Sequence, residues 1–191
     1  MRLALQGVLV ASLVLAVASC SDASNKAQAV SSSTGSPASA TASSAASTAS
    51  SDPRTDAQGG LDAYWAMVKR LLAAPDPSDP EIGQRAVDPA RSALQDLLIT
   101  RQTQGEVAQF DGVSYHVDTN VSISDGQSAQ FEGCIVDGAR LVNDTSGEVV
   151  NDKVTTSRIR GTLILSGGSW KMQRFDVLRK VDGEVACATL A

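Results

Sequence analysis

The hydrophobic period of this chain changes once, near Gly105, and that change limits the folds open to it. Before it, "GGLDAYWAMVKRLLAAPDP" sets Leu61, Tyr64, Trp65, Val68, Leu71 and Leu72 at spacings of three, four and seven, which predicts a helix with one apolar face, stopped by Pro75 and Pro77. Asp79-Pro80 and Asp88-Pro89 each pair a capping acid with a proline suited to the first helical position. The first predicts a short helical turn over 80–86. The second opens another helix, with Ala90, Ala93, Leu94, Leu97, Leu98 and Arg101 on one stripe that ends near Gly105.

After Gly105 the period is two. "GVSYHVDTNVSISDG" alternates Val113, Tyr115, Val117, Thr119, Val121 and Ile123 against Ser114, His116, Asp118, Asn120, Ser122 and Ser124, the pattern of a half-buried strand. Asp125-Gly126 signals a hairpin and "QSAQFEGCIV" the returning strand, and Asp137-Gly138 turns the chain again. Short strands around a polar loop follow, then two longer strands joined at Gly167-Gly168. In the last strand Trp170 and Met172 share one parity and Phe175 and Val177 the other, so a bulge or bend is expected between Met172 and Phe175. Helices followed by a run of antiparallel strands make an α+β plan, with N-terminal helices covering one face of a curved sheet.

The first 58 residues read differently. "MRLALQGVLVASLVLAVASC" has one basic residue, Arg2, and an apolar stretch long enough for a signal-peptide core but short for a membrane span. Its end, Val17-Ala18-Ser19-Cys20, resembles the bacterial lipobox, in which the cysteine is lipidated and becomes the new N-terminus. Ala16-Val17-Ala18 also fits ordinary cleavage after Ala18. On the lipobox reading residues 1–19 are removed, and acyl chains on Cys20, at about 0.8 kcal/mol per buried methylene, anchor the protein stably at the extracytoplasmic face of the cell membrane.

Residues 20–58 are almost entirely Ser, Ala and Thr, with too little apolar surface to offset ordering, and read as a disordered tether. Its root-mean-square span is roughly 34 Å and its full stretch about 130 Å. The tract is a candidate for O-glycosylation, which composition alone does not establish. The patterns Asn120-Val121-Ser122 and Asn143-Asp144-Thr145 are read as chance in a bacterial lipoprotein. Residues 59–191 then form one domain of ordinary size. From Arg54 onward the chain carries 14 Lys and Arg against 19 Asp and Glu. Along the sequence these show no basic cluster, which argues against nucleic acid and against anionic membrane surfaces as direct partners.

With Cys20 lipidated, Cys134 and Cys187 remain as an even pair in an exported domain, and a disulfide is expected between them. Closing a loop of about 54 residues contributes roughly 4 kcal/mol in the chain-entropy picture and ties the tail to the sheet. A cysteine nucleophile needs a basic partner, and a zinc site needs more ligands than two thiols and one distant histidine. Phe131 and Ile135 share a parity that Cys134 does not, so the bridge is expected on the opposite sheet face, unless Gly133 marks a bulge. His116 is the single histidine of the chain. It sits beside Ser114 and Asp118 on a polar strand face, without the Gly-x-Ser-x-Gly elbow of a serine hydrolase.

The helix bearing Tyr64 and Trp65, Gly105 before the first strand, "CIVDG" closing one strand and "SWKM" opening the last resemble a group of actinobacterial lipoproteins. Their domain is similar to nuclear transport factor 2 and to SnoaL-type cyclases, a cone-shaped sheet around a long helix. The resemblance covers roughly residues 59 to 187, and it implies architecture more than activity. Enzymes of the SnoaL and ketosteroid isomerase kinds use an Asp inside an apolar cone, sometimes with Tyr or His. On that pattern Asp118, Asp176 and His116 are the candidate working groups, and Tyr64, Trp65 and Tyr115 the candidate lining. Read from the residues alone, the acids are exposed strand positions and the aromatics core.

The leading expectation is a binding or scaffold module of the cell envelope, with no catalysis, cofactor or metal and no nucleic acid. Its partners are the membrane through the lipid anchor and another envelope protein. The alternatives are a cone pocket for a small apolar ligand and a homodimer paired through an open sheet face.

Overall fold

The structure is a computed structural model and describes residues 52–190. The expected signal peptide, Cys20 and the tether as far as residue 51 lie outside the described residues.

Helix α1 spans Pro53–Ala73 and begins six residues before the expected domain start at Gly59. Asp52 caps it, its carboxylate accepting from the Arg54 amide at 3.1 Å, and Pro53 occupies the first turn. Residues 53–58 therefore belong to the folded domain, with Ala57 fully buried, and not to the stretch expected as tether. Asp52-Pro53 is the same capping signature as Asp79-Pro80. Its position inside a Ser/Ala/Thr-rich run disguised it.

Helix α2, Pro80–Arg85, forms where expected, with Asp79 accepting from the Glu81 amide at 2.7 Å. Helix α3, Ala90–Gln104, starts one residue later than the Asp-Pro signature implies. Pro89 is its N-cap, and the Asp88 carboxylate reaches past it to accept from the Ser92 hydroxyl at 2.6 Å. Only Ala90, Leu94 and Leu98 of its stripe are buried, and Leu97 is exposed. Gly105 ends the helix at φ 63°, a left-handed conformation in which its amide returns to the Arg101 and Gln102 carbonyls.

Seven strands follow: β1 Glu106–Gln109, β2 Tyr115–Asp125, β3 Ser128–Asp137, β4 Arg140–Asn143, β5 Val149–Asn151, β6 Thr155–Ser166 and β7 Ser169–Asp182. They form an antiparallel four-stranded sheet in the order β2-β3-β6-β7 and a small sheet in the order β1-β4-β5. β1 is too short and mixed in character to stand out in the sequence. At the β2–β3 turn the Asp125 carboxylate accepts from the Gln127 and Ser128 amides, which holds it below the usual carboxylate range. Gly167 and Gly168, at φ 61° and 78°, make the β6–β7 turn.

The expected irregularity in β7 is present. Leu163 faces Met172 and Thr162 faces Arg174, so one residue bulges out between them and Phe175 returns to the same face as Trp170 and Met172. A second bulge falls between Val177 and Arg179. Helix α1 lies on this inner face. A Cβ on Gly60 would meet Trp170 Cβ at 2.7 Å, and the Gln58 amide donates to Thr119 Oγ1 at 3.2 Å. Beneath the helix, Leu61, Leu71, Phe131, Ile159, Leu163 and Met172 are essentially inaccessible and form the centre of the core. The Phe131 ring lies over Gly161, where a Cβ would come within 2.5 Å of it. The fold is α+β, with helices packed on one face of an antiparallel sheet.

Candidate functional site

The six candidate residues divide between the two faces of the sheet. Tyr64 and Trp65 project from α1 onto the inner face, with ring centroids 5.2 Å apart in an edge-to-face arrangement. Trp65 meets Phe175 of β7 at 5.5 Å. Burial pushes the Tyr64 phenol far above its ordinary range. Tyr115, at the start of β2, packs on Phe110 at 4.8 Å, and its phenol is pushed up to about 12, mainly by burial. The Lys69 ammonium sits 5.0 and 5.3 Å from the Phe110 and Tyr115 ring centroids, close enough for cation–π attraction.

Asp118 and Asp176 do not reach this interior, contrary to the cone-pocket expectation. On β2 the inward parity belongs to Val117, Thr119 and Val121, so His116 and Asp118 stand on the outer face, both exposed. Asp176 pairs across to Arg160 on the outer face, because the bulge after Met172 resets the parity of β7. Its carboxylate accepts from the Arg174 guanidinium at 2.9 Å. The space beneath α1 is filled by apolar side chains and contains none of the candidate acids. Among the described residues one buried side-chain polar atom, Trp65 Nε1, lacks a hydrogen-bond partner.

The outer face carries the expected cross-link. Cys134 and Cys187 are joined with their Cα atoms 5.8 Å apart, on the face opposite Phe131 and Ile135. Gly133 is not a bulge, because the β2–β3 register runs through it. It is a close approach: a Cβ there would lie 2.0 Å from the Asp118 carbonyl oxygen. The tail crosses β6 as a strap. Thr156 Oγ1, fully buried, donates to the Gly183 carbonyl at 2.8 Å and accepts from the Val185 amide at 3.1 Å. A short 3-10 turn, Cys187–Leu190, then buries Leu190. His116, Asp118, Cys134 and Val136 line an open cleft of about 520 Å³ with Glu184–Cys187 of the strap.

Sequence reasoning missed the charge distribution. Hairpin β6–β7 holds Arg158, Arg160, Lys171, Arg174, Arg179 and Lys180 against Asp176 and Asp182, a net +4. The rest of the chain from Arg54 onward has 8 cations against 17 acids, a net −9. The register sets Arg158 directly opposite Arg179, with Arg160 and Arg174 on the same outer face. Arg174 pairs with Asp176 and Arg158 lies 3.5 Å from Glu132, while Arg160 and Arg179 have no ion pair among the described residues. The cations lie several residues apart on two strands, so the cluster exists only once the strands pair.

No group of three or more His, Cys, Asp or Glu among the described residues is arranged to hold a metal ion. No helix among them is long and apolar enough to cross a membrane. No protein-family description matches the chain, and no curated protein matches it. Several solved structures resemble it, two of them as follows. The intermembrane-space region of the chloroplast protein ARC6 matches with a TM-score of 0.49 at 21% identity, over 66% of this chain and 96% of that one. A candidate scytalone dehydratase from Novosphingobium aromaticivorans matches with a TM-score of 0.44 at 15% identity, over 71% of this chain and 93% of that one. Neither likeness bears on what this chain binds or catalyses.

Proposed function

We propose that this chain is a lipid-anchored extracytoplasmic domain that works as a binding or scaffold module of the cell envelope. The observation that carries this reading is the separation of its parts. The interior beneath α1 is packed with apolar side chains, while His116, Asp118 and Asp176 stand on the opposite face. The apolar leader ending at Cys20 supports the address, and the Cys134–Cys187 bridge suits an oxidising compartment. Replacing Cys20 with Ser and fractionating cells tests the anchor. Release into the soluble fraction is expected, and retention in the membrane overturns it. Affinity purification from membranes, with mass spectrometry for proteins and lipids, then tests for a partner. Exposed Phe175, Val177 and Leu178 on edge strand β7 offer an apolar surface that another envelope protein or a second copy of the chain would cover.

A second reading, binding of a small apolar ligand, is favoured by one observation. Trp65 Nε1 is a buried donor without an acceptor, and the Trp65 ring touches half-exposed Phe175. A ligand with one acceptor group would satisfy it. Titration with apolar carbonyl compounds, followed by tryptophan fluorescence, should show a saturable change that is lost in Trp65→Phe and kept in Trp170→Phe. A response independent of Trp65 rejects this reading.

A further inference from the structure

We propose that the outer face of hairpin β6–β7 is a docking surface for an anionic phospholipid bilayer, so that the domain lies against the membrane to which its tether ties it. The last clause rests on the lipid-anchor reading; the surface itself does not. Like charges directly opposite one another on neighbouring strands are unfavourable, yet Arg158 and Arg179 occupy such a pair. Arg160 and Arg174 extend the same face from that pair toward the β6–β7 turn. Glu132, 3.5 Å from Arg158, and Asp176, paired with Arg174, offset part of this repulsion, and Arg158 also donates to the Leu190 carbonyl, while Arg160 and Arg179 have no ion pair among the described residues. Anions placed beside these guanidinium groups would offset the rest, since a planar guanidinium matches phosphate oxygens in bidentate fashion.

The dimensions favour a surface over a single small anion. Neighbouring strands lie about 4.8 Å apart and residues rise about 3.4 Å each, so the cations from Arg174 to Arg179 span roughly 17 Å of open strand. That is the scale of several lipid headgroups, whereas a small-molecule site is concave and encloses its ligand. The remaining net charge of −9 sits elsewhere on the chain, so the molecule carries a charge asymmetry that turns the hairpin toward an anionic plane. The tether adds proximity. On the lipid-anchor reading, the 31 residues between Cys20 and Asp52 tie the domain to the membrane surface and raise its effective concentration there. A contact too weak to matter in dilute solution is populated under those conditions.

The test uses the processed chain from residue 20 onward carrying Cys20→Ala, so that no acyl chain contributes. It is sedimented with vesicles of phosphatidylcholine alone or with about a third phosphatidylglycerol, at about 0.05 M and 0.5 M salt. Binding is expected only to the phosphatidylglycerol vesicles and only at low salt. The triple variant R160E/R174E/R179E should lower partitioning at least about tenfold, since each cation near an anionic surface changes it about fivefold. A control, R91E/R140E, carries charge reversals outside the hairpin and should bind as the parent does. Should circular dichroism show the triple variant unfolded, R160Q/R179Q is read instead, with at least about a threefold loss expected. No binding, equal binding to both vesicle types, or an equal loss in the control overturns the proposal. So does binding to polyglutamate or to nucleic acid without binding to vesicles. Fractionation of the Cys20→Ser cells reports on the anchor alone, so either idea can fail without the other.

Discussion

The two faces of the β2–β3–β6–β7 sheet are held by different physics. The inner face is stabilised by close packing: Phe131, Ile159, Leu163 and Met172 meet Leu61 and Leu71 of α1, and Gly60 and Gly161 let Trp170 and Phe131 approach where any Cβ would collide. The outer face has few apolar contacts. One covalent bond, the two hydrogen bonds of Thr156, those from the Gly183 amide to the Val154 carbonyl and from Arg158 to the Leu190 carbonyl, and the burial of Leu190 keep the strap in place, and the remainder is charged and open. Such a division leaves the packed face little freedom to change and the charged face free to meet a partner.

The largest expected break in this contrast comes from Phe131→Ala, which should cost about 3 to 5 kcal/mol of unfolding free energy in urea titration. A loss below about 1 kcal/mol would mean that the inner face is not the stabilising one. Replacing both Cys134 and Cys187 with Ser should cost about 2 to 4 kcal/mol, and proteolysis should then trim the strap first. Unchanged trimming would show that the hydrogen bonds alone hold it.

Alkali provides a third handle, through the inner face. Burial raises the Tyr115 phenol from its ordinary 10.0 to about 12, so the folded chain keeps a proton that the unfolded chain releases sooner. Stability should be full below about pH 10 and fall as pH rises to about 12, and Tyr115→Phe should flatten that slope in chemical denaturation. Asp52→Ala, which removes the cap of α1, should cost about 1 kcal/mol, with Asp52→Asn nearly neutral. The smallest effect belongs to the outer face: Asp118→Asn should stay within about 0.5 kcal/mol of the parent in thermal melting.

Much of this arrangement is legible in the sequence. The helices, the Asp125 hairpin, the irregularity after Met172 and the face carrying Cys134 all follow from local periodicity, which reports one strand or helix at a time. What escaped depends on relations between segments. Asp176 was a candidate for the interior because parity counted through a bulge cannot tell which side the later residues take. The arginine cluster needed the β6–β7 register, since Arg158 and Arg179 are 21 positions apart in sequence but opposite one another in the sheet. The start of α1 was obscured by composition. Asp52-Pro53 carries an unambiguous capping signal, but it lies in a run whose average character is that of a tether, and Ala57 looks like any other alanine there until Ala57 is seen buried.

The placement of α1 also has a mechanical side. Arg54 and Gln58 contact Asn120 and Thr119, Gly60 contacts Trp170, Trp65 contacts Phe175, and Lys69 sits over Tyr115, so the helix runs alongside β7 and against β2. Tension between Asp52 and the far end of β2 at Tyr115 would therefore run along the axis of α1, and the helix would have to slide across the sheet rather than peel from it. Sliding strains many inner-face contacts together, whereas tension on the tail reaches the disulfide after a few residues and stops there. Single-molecule pulling between Asp52 and Tyr115, at the opposite end of β2, should accordingly give one high-force event, and pulling between the β2–β3 turn and Leu190 in the oxidised protein should leave the 54-residue loop from Cys134 to Cys187 folded out of reach, with a correspondingly shorter gain in length.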